Sequence, residues 1–132
     1  MARGENPGDI ISIDTTLTYS ETADNGHANA GKDLALSFVQ TGSNAGKAHL
    51  AADGAAIIGK FLDLDKDGKA SVMITGVPLI FRRTNATLPA GSRIVGGGNG
   101  LIKAAGSDDD GRGIVSHIIE TGENGRVLVV FP

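Results

Sequence analysis

The sequence predicts an all-β fold: a small single-domain β-barrel, β-tulip or sandwich of about eight short strands, led by an extended N-terminal arm. Three observations carry this. Short β-branched runs recur from residue 57 onward and end in Gly, Asp-Gly or Asn-Gly, the punctuation of strands joined by tight turns. Gly makes up 20 of 132 residues, roughly twice its usual share, without a G-X-Y period. No stretch holds a helical apolar period for longer than two turns.

Residues 1–9, MARGENPGD, hold little apolar surface, so they read as an arm that is either frayed or ordered on a neighbour. Arg3, Glu5 and Pro7 are its partner-binding candidates, because Pro7 fixes an extended path suited to the edge of another sheet. The main domain then spans 10–132. From Ile10 to Ser20 the chain alternates, with Ile11, Ile13, Thr15, Leu17 and Tyr19 on one face, as in a half-buried strand. Residues 21–33 form a polar loop. Leu34, Leu36 and Phe38 alternate again, giving a second strand that ends near Gln40. A loop and an irregular strand around Lys47–Ala51 follow, then a turn at Asp53-Gly54.

Beyond it, hairpins are expected at Asp67-Gly68, at the Gly96–Gly100 cluster and at Asn124-Gly125. Val127–Phe131 is apolar on both faces, as are Ile114-Val115 and Ile118-Ile119. Such runs are covered on both sides by a barrel, a sandwich or a neighbouring subunit.

Composition excludes several function classes. Twelve Lys and Arg against fifteen Asp and Glu leave a net charge of −3. No basic stripe exists to neutralise a phosphate backbone, so no nucleic-acid partner is expected. Four Phe, one Tyr and no Trp argue against stacking-based binding of sugars or single strands. The chain has no Cys, hence no disulfide or thiolate chemistry. No segment approaches the length of an apolar membrane span, and the start lacks a secretion signal.

The sharpest local motif is DLDKDGKASVMI. Asp63, Asp65 and Asp67, with Gly68, match the first positions of an EF-hand loop, where carboxylates surround a hard cation. The twelfth position is Ile74, and strand-like runs flank the loop, so a hairpin turn is the simpler reading and a weak calcium site the alternative. Asp108, Asp109 and Asp110 repel one another and read as a solvated loop. IVGGGNGLI lacks the strand–helix context of a phosphate cradle. His27, His49 and His117 have no partner at ligand spacing and read as surface or interface residues. Arg82-Arg83 closes a strand, solvated or facing an acidic partner. No nucleophile elbow or comparable motif occurs, and no enzymatic activity and no cofactor are expected.

The order of elements after Ala51 carries a resemblance. The Asp53-Gly54 turn leads into Ile57-Ile58-Gly59, followed by GKASVMITG (68–76), LPAGSRIV (88–95), GLIKAA (100–105), GRGIV (111–115) and VLVVF (127–131). This pattern resembles the capsid decoration, or cement, proteins of tailed bacteriophages, over residues 51–131. The resemblance implies a homotrimeric knob on the outer surface of the virion, made in the host cytoplasm, that clamps neighbouring copies of the major capsid protein. It implies an N-terminal arm that reaches neighbours, and no catalytic residues. The polar loop at 21–33 has no counterpart in the pattern. The alternative from the residues themselves is a calcium-assisted β-module that binds a carbohydrate or protein ligand.

Overall fold

The computed structural model describes residues 4–107 and 109–132. It is all-β, with ten strands: β1 (Ile10–Asp14), β2 (Ala35–Phe38), β3 (Ala48–Leu50), β4 (Gly59–Leu64), β5 (Lys69–Met73), β6 (Gly76–Arg82), β7 (Ile94–Gly98), β8 (Leu101–Ala104), β9 (Ile114–Ile118) and β10 (Arg126–Phe131). They form three antiparallel sheets in the orders β1-β5-β4-β2-β3, β6-β10-β9 and β7-β8. The arrangement is a sandwich and not a closed barrel.

The three expected hairpin turns are present, and each solves a local backbone problem. Gly68 has φ 82°, Gly98, Asn99 and Gly100 have φ 94°, 56° and 83°, and Asn124 has φ 65°. These left-handed conformations are cheap for Gly and tolerable for Asn, which is why such residues sit there. Gly96 is required for another reason: a Cβ there would stand 2.1 Å from the Ala52 carbonyl oxygen.

Two apolar layers hold the sheets. The larger lies between the five-stranded sheet and the other two, and joins Ala35 and Met73 to Leu79, Phe81, Ile94, Ile102, Val115, Val127, Val129 and Phe131. Phe81 and Phe131 meet edge-on at 5.4 Å, the geometry that aromatic quadrupoles favour. The smaller layer covers the opposite face of the five-stranded sheet. There Leu36, Phe61, Leu64, Ala70 and Val72 are joined by Leu17, which follows β1, and by Ala30 from the polar loop. Because β10 is the middle strand of its sheet, Val127, Leu128 and Val129 are buried within this domain alone. Their two-sided apolar pattern needs no second subunit.

The expected first strand, Ile10 to Ser20, ends early at Asp14. The Thr15 hydroxyl accepts the Leu17 N–H at 3.1 Å and donates to the Ala48 carbonyl at 2.7 Å. This local turn diverts the chain from β5. Thr16 then donates its N–H to Ala48, so the edge strands β1 and β3 touch at one end and the sheet curls. The second strand also differs from simple alternation. Ser37 is fully buried and accepts the Ala52 N–H at 3.1 Å, whereas Phe38 is 45% exposed.

The arm differs most. Asn6 exchanges main-chain hydrogen bonds with Val77 and Pro78, and Gly8 and Asp9 bond to Thr75 and Ile74. The Glu5 carboxylate accepts the Ile80 N–H at 2.7 Å and pairs with Lys60. Residues 5–9 are thus a strap on their own domain, where the sequence alone predicts an arm that is frayed or ordered on a neighbour. The strap supplies hydrogen bonds and a countercharge where apolar burial is lacking. Of the arm candidates, Glu5 and Pro7 bind within the chain, Pro7 bridging Gly76, and Arg3 lies outside the described residues.

Candidate docking surface

The strongest exposed feature is apolar. Ile10 is 56% exposed, Ile11 37% and Phe38 45%, at the end of the curled sheet where β1 and β3 stand apart. Between β1 and the β2–β3 hairpin runs a groove of about 410 Å³, lined by Ile11, Phe38, Ile57, Ile58, Ile74 and Arg112. Beyond Phe38 a second hollow of about 380 Å³ includes His49 and Asp53. Beyond Arg112 a third, about 290 Å³, reaches Ile114 and Val130. Phe38 and Arg112 are shared linings, so the three hollows form one strip. The middle hollow is the apolar part of this strip, since the second also holds Gln40, Thr41, His49 and Asp53, and exposed apolar surface on a small domain makes it the candidate docking surface.

Arg112 anchors one end of the strip. Its guanidinium donates to the main-chain oxygens of Ile58 (2.9 Å), Ile74 and Pro132 (2.7 Å) and lies 3.8 Å from the centre of the Phe131 ring. Three segments distant in sequence are tied by one planar fork, which a lysine cannot reproduce. Burial lowers the Arg112 pKa below its usual value. At the other end Lys103 pairs with Asp53 at 2.6 Å, and that hydrogen bond raises the lysine above its ordinary range.

The remaining candidates are not brought together. Asp65 is turned back on its own hairpin: its Oδ1 accepts the N–H groups of Asp67 (2.9 Å) and Lys69 (3.0 Å). Asp63 sits on β4 and Asp67 in the turn. Among the described residues, no three His, Cys, Asp or Glu side chains gather as a metal would require. Asp109 accepts the Gly106 N–H at 2.7 Å and shapes its turn, and Asp108 lies outside the described residues.

His27 packs against Phe61 and accepts the Asn29 N–H at its Nδ1. His49 is on β3, and its Nε2 is buried without a partner among the described residues. His117 is on β9, in a different sheet. Arg83 is buried and donates to the carbonyls of Thr84 and Ala86, while Arg82 lies 3.9 Å from both Asp33 and Glu120.

The polar loop is compact. Asn25 accepts the Leu64 N–H and Gly31 donates to Phe61, while the loop encloses a hollow of about 490 Å³ lined by Thr18, Ser20, Thr22, Asp24, His27 and Lys32, among others. Several of its polar groups are spent on the loop itself, such as the Ser20–Thr22 hydroxyl pair. Sequence reasoning missed both the strap and the groove. The groove's only sequence signal was the pair of adjacent isoleucines at 10 and 11, one of which must leave the buried face of an alternating strand.

The chain matches no family model, no curated protein and no solved structure.

Proposed function

We propose that this chain is a structural, non-enzymatic module that docks on another protein through the apolar groove. Its partner in this reading is the major capsid protein of a tailed-phage head, which a homotrimer of the chain stabilises from the outer surface. The observation that carries the docking is the exposed groove between β1 and Phe38. The resemblance of residues 51–131 to decoration proteins supplies the shell as partner. The calcium-assisted alternative rests on the spacing of Asp63, Asp65 and Asp67 alone.

Two measurements test the reading. Light scattering of the purified chain is expected to give three times the chain mass, and capture from infected-cell lysate to recover one dominant shell protein. Phe38→Asp places a charge in the groove and is expected to abolish that capture. A monomer at all micromolar concentrations that captures no shell protein would refute the proposal.

A further inference from the structure

The wall of the groove is a sheet edge. The Asp9 carbonyl accepts the Ile74 N–H, and the Thr15 N–H donates to Gly68, so the odd-numbered residues of β1 are those bonded to β5. The alternation of an antiparallel ladder then turns the N–H and C=O groups of Ile10, Ser12 and Asp14 to the other edge. Among the described residues, no strand neighbours that edge, and the first contact beyond it is Thr15 with Ala48. Natural proteins blunt such edges with charge, proline or a covering segment. The edge of β6 is treated that way, by the strap. The edge of β1 carries a charge only at its far end, Asp14, while its near end has the exposed Ile10 and Ile11 and opens on an apolar floor of Ile58 and Ile74.

We propose that an extended strand of the partner protein adds to the open edge of β1. Its alternate apolar side chains fall on Ile11, Phe38, Ile58 and Ile74, and an acidic side chain reaches Arg112. The strand form follows from the unpaired main chain, which only another extended backbone satisfies residue by residue. The apolar alternation follows from the floor. The acidic residue follows from charge: among the described residues Arg112 is the one charged residue lining the groove, and its guanidinium is bonded to main-chain oxygens and to no carboxylate side chain. This inference rests on the docking reading above and adds the manner of docking.

The test uses the full chain, isotope-labelled, with the synthetic peptide acetyl-Asp-Thr-Val-Thr-Val-Thr-Val-amide and a counterpart carrying lysine in place of aspartate. Binding of the first peptide is expected to slow amide exchange at Ile10, Ser12 and Asp14 about tenfold or more, with little change at the already bonded Ile11 and Ile13. The lysine peptide is expected to bind about tenfold more weakly. Ser12→Pro deletes one outward N–H, and is expected to keep the fold while losing the peptide about tenfold or more. Failure of the aspartate peptide to saturate at millimolar concentration overturns strand addition. So does equal binding by a folded Ser12→Pro chain, or protection that falls outside β1. If Ser12→Pro does not fold, the exchange pattern of the unaltered chain decides. Capture of shell protein by folded Ser12→Pro, alongside its loss in Phe38→Asp, refutes strand addition and leaves the docking reading standing.

Discussion

Replacing Glu5 tests whether the strap belongs to the domain. Lys60 lies on β4 with its side chain only 5% exposed, and its ammonium is held by Glu5 and by Asp33 at 2.7 Å. The Glu5 carboxylate also satisfies the Ile80 N–H on the outer edge of β6. Removing one partner of a buried ion pair costs about 3–5 kcal/mol when nothing else compensates. Here Asp33 remains, which holds the charge contribution to about 1–2 kcal/mol. An unsatisfied Ile80 N–H adds about 1–2 kcal/mol. Glu5→Ala is therefore expected to destabilise by about 2–4 kcal/mol. For a chain of this size that is a fall in Tm of about 6–15 °C.

Glu5→Gln keeps an acceptor for Ile80 and removes only the charge, so about half that loss is expected. Lys60→Met in the Glu5→Ala background removes the stranded ammonium and should recover part of the difference. Thermal melts of the four proteins, followed by circular dichroism, give the comparison. A Glu5→Ala chain that melts within about 1 °C of the unaltered protein would refute the account, and would return residues 5–9 to the role of an independent arm.

Other consequences are as direct. Arg112→Lys keeps the charge but loses the fork over Ile58, Ile74 and Pro132, and its unfolding free energy, measured by urea titration, is expected to fall by about 1–3 kcal/mol. Asp65→Ala removes the acceptor of two turn N–H groups and should cost about 1–2 kcal/mol, while melts with and without calcium superimpose; a calcium-dependent rise in Tm lost in this variant would instead favour the calcium site.

The Glu120 carboxyl is held below its ordinary range by hydrogen bonds from Arg126. Its contribution is thus present above the ordinary carboxylate range and lost as pH falls through the lowered value. Glu120→Gln should flatten the acid limb of Tm against pH, and an unchanged limb would refute the pairing. Gly26 has φ 81°, and a Cβ there would stand 1.8 Å from the Leu64 carbonyl oxygen. Gly26→Ala should detach the polar loop and raise proteolysis within residues 16–33 while the β6–β10 sheet stays protected from exchange.

What the sequence disclosed, and what it hid, divides by range. Turns at Asp67-Gly68, Gly96–Gly100 and Asn124-Gly125 were legible because positive φ is a local demand, answered by the residue that meets it. The all-β class was legible for the same reason. The end of β1 was not, since the alternation through Tyr19 is intact and only the Thr15 side chain, bonded to Ala48, diverts the chain. The strap was hidden because its value lies in Lys60, and composition read the arm as unable to bury anything. The groove was half visible: Ile10 and Ile11 sit side by side, but their neighbours Phe38, Ile58 and Ile74 come from three other parts of the chain. Asp65 shows the reverse case: the spacing fits a cation loop as well as a hairpin, and its carboxylate is consumed by the turn that it builds.

The pairing of β1 with β5 also bears on how the chain comes to be folded. β2, β3 and β4 all lie between these partners in the sequence, and the strap on β6 must wait longer still. The β4–β5 hairpin, closed by the short Asp65–Gly68 turn, can form within its own neighbourhood and is an early event. β1 docks only after a long loop has been closed, against an entropy that local contacts never meet. During synthesis the first strand therefore precedes its β-partner, and its three isoleucines wait for β5 to emerge. Among the strands, the one that lines the open edge of the finished protein is thus also the one that waits longest for a partner of its own.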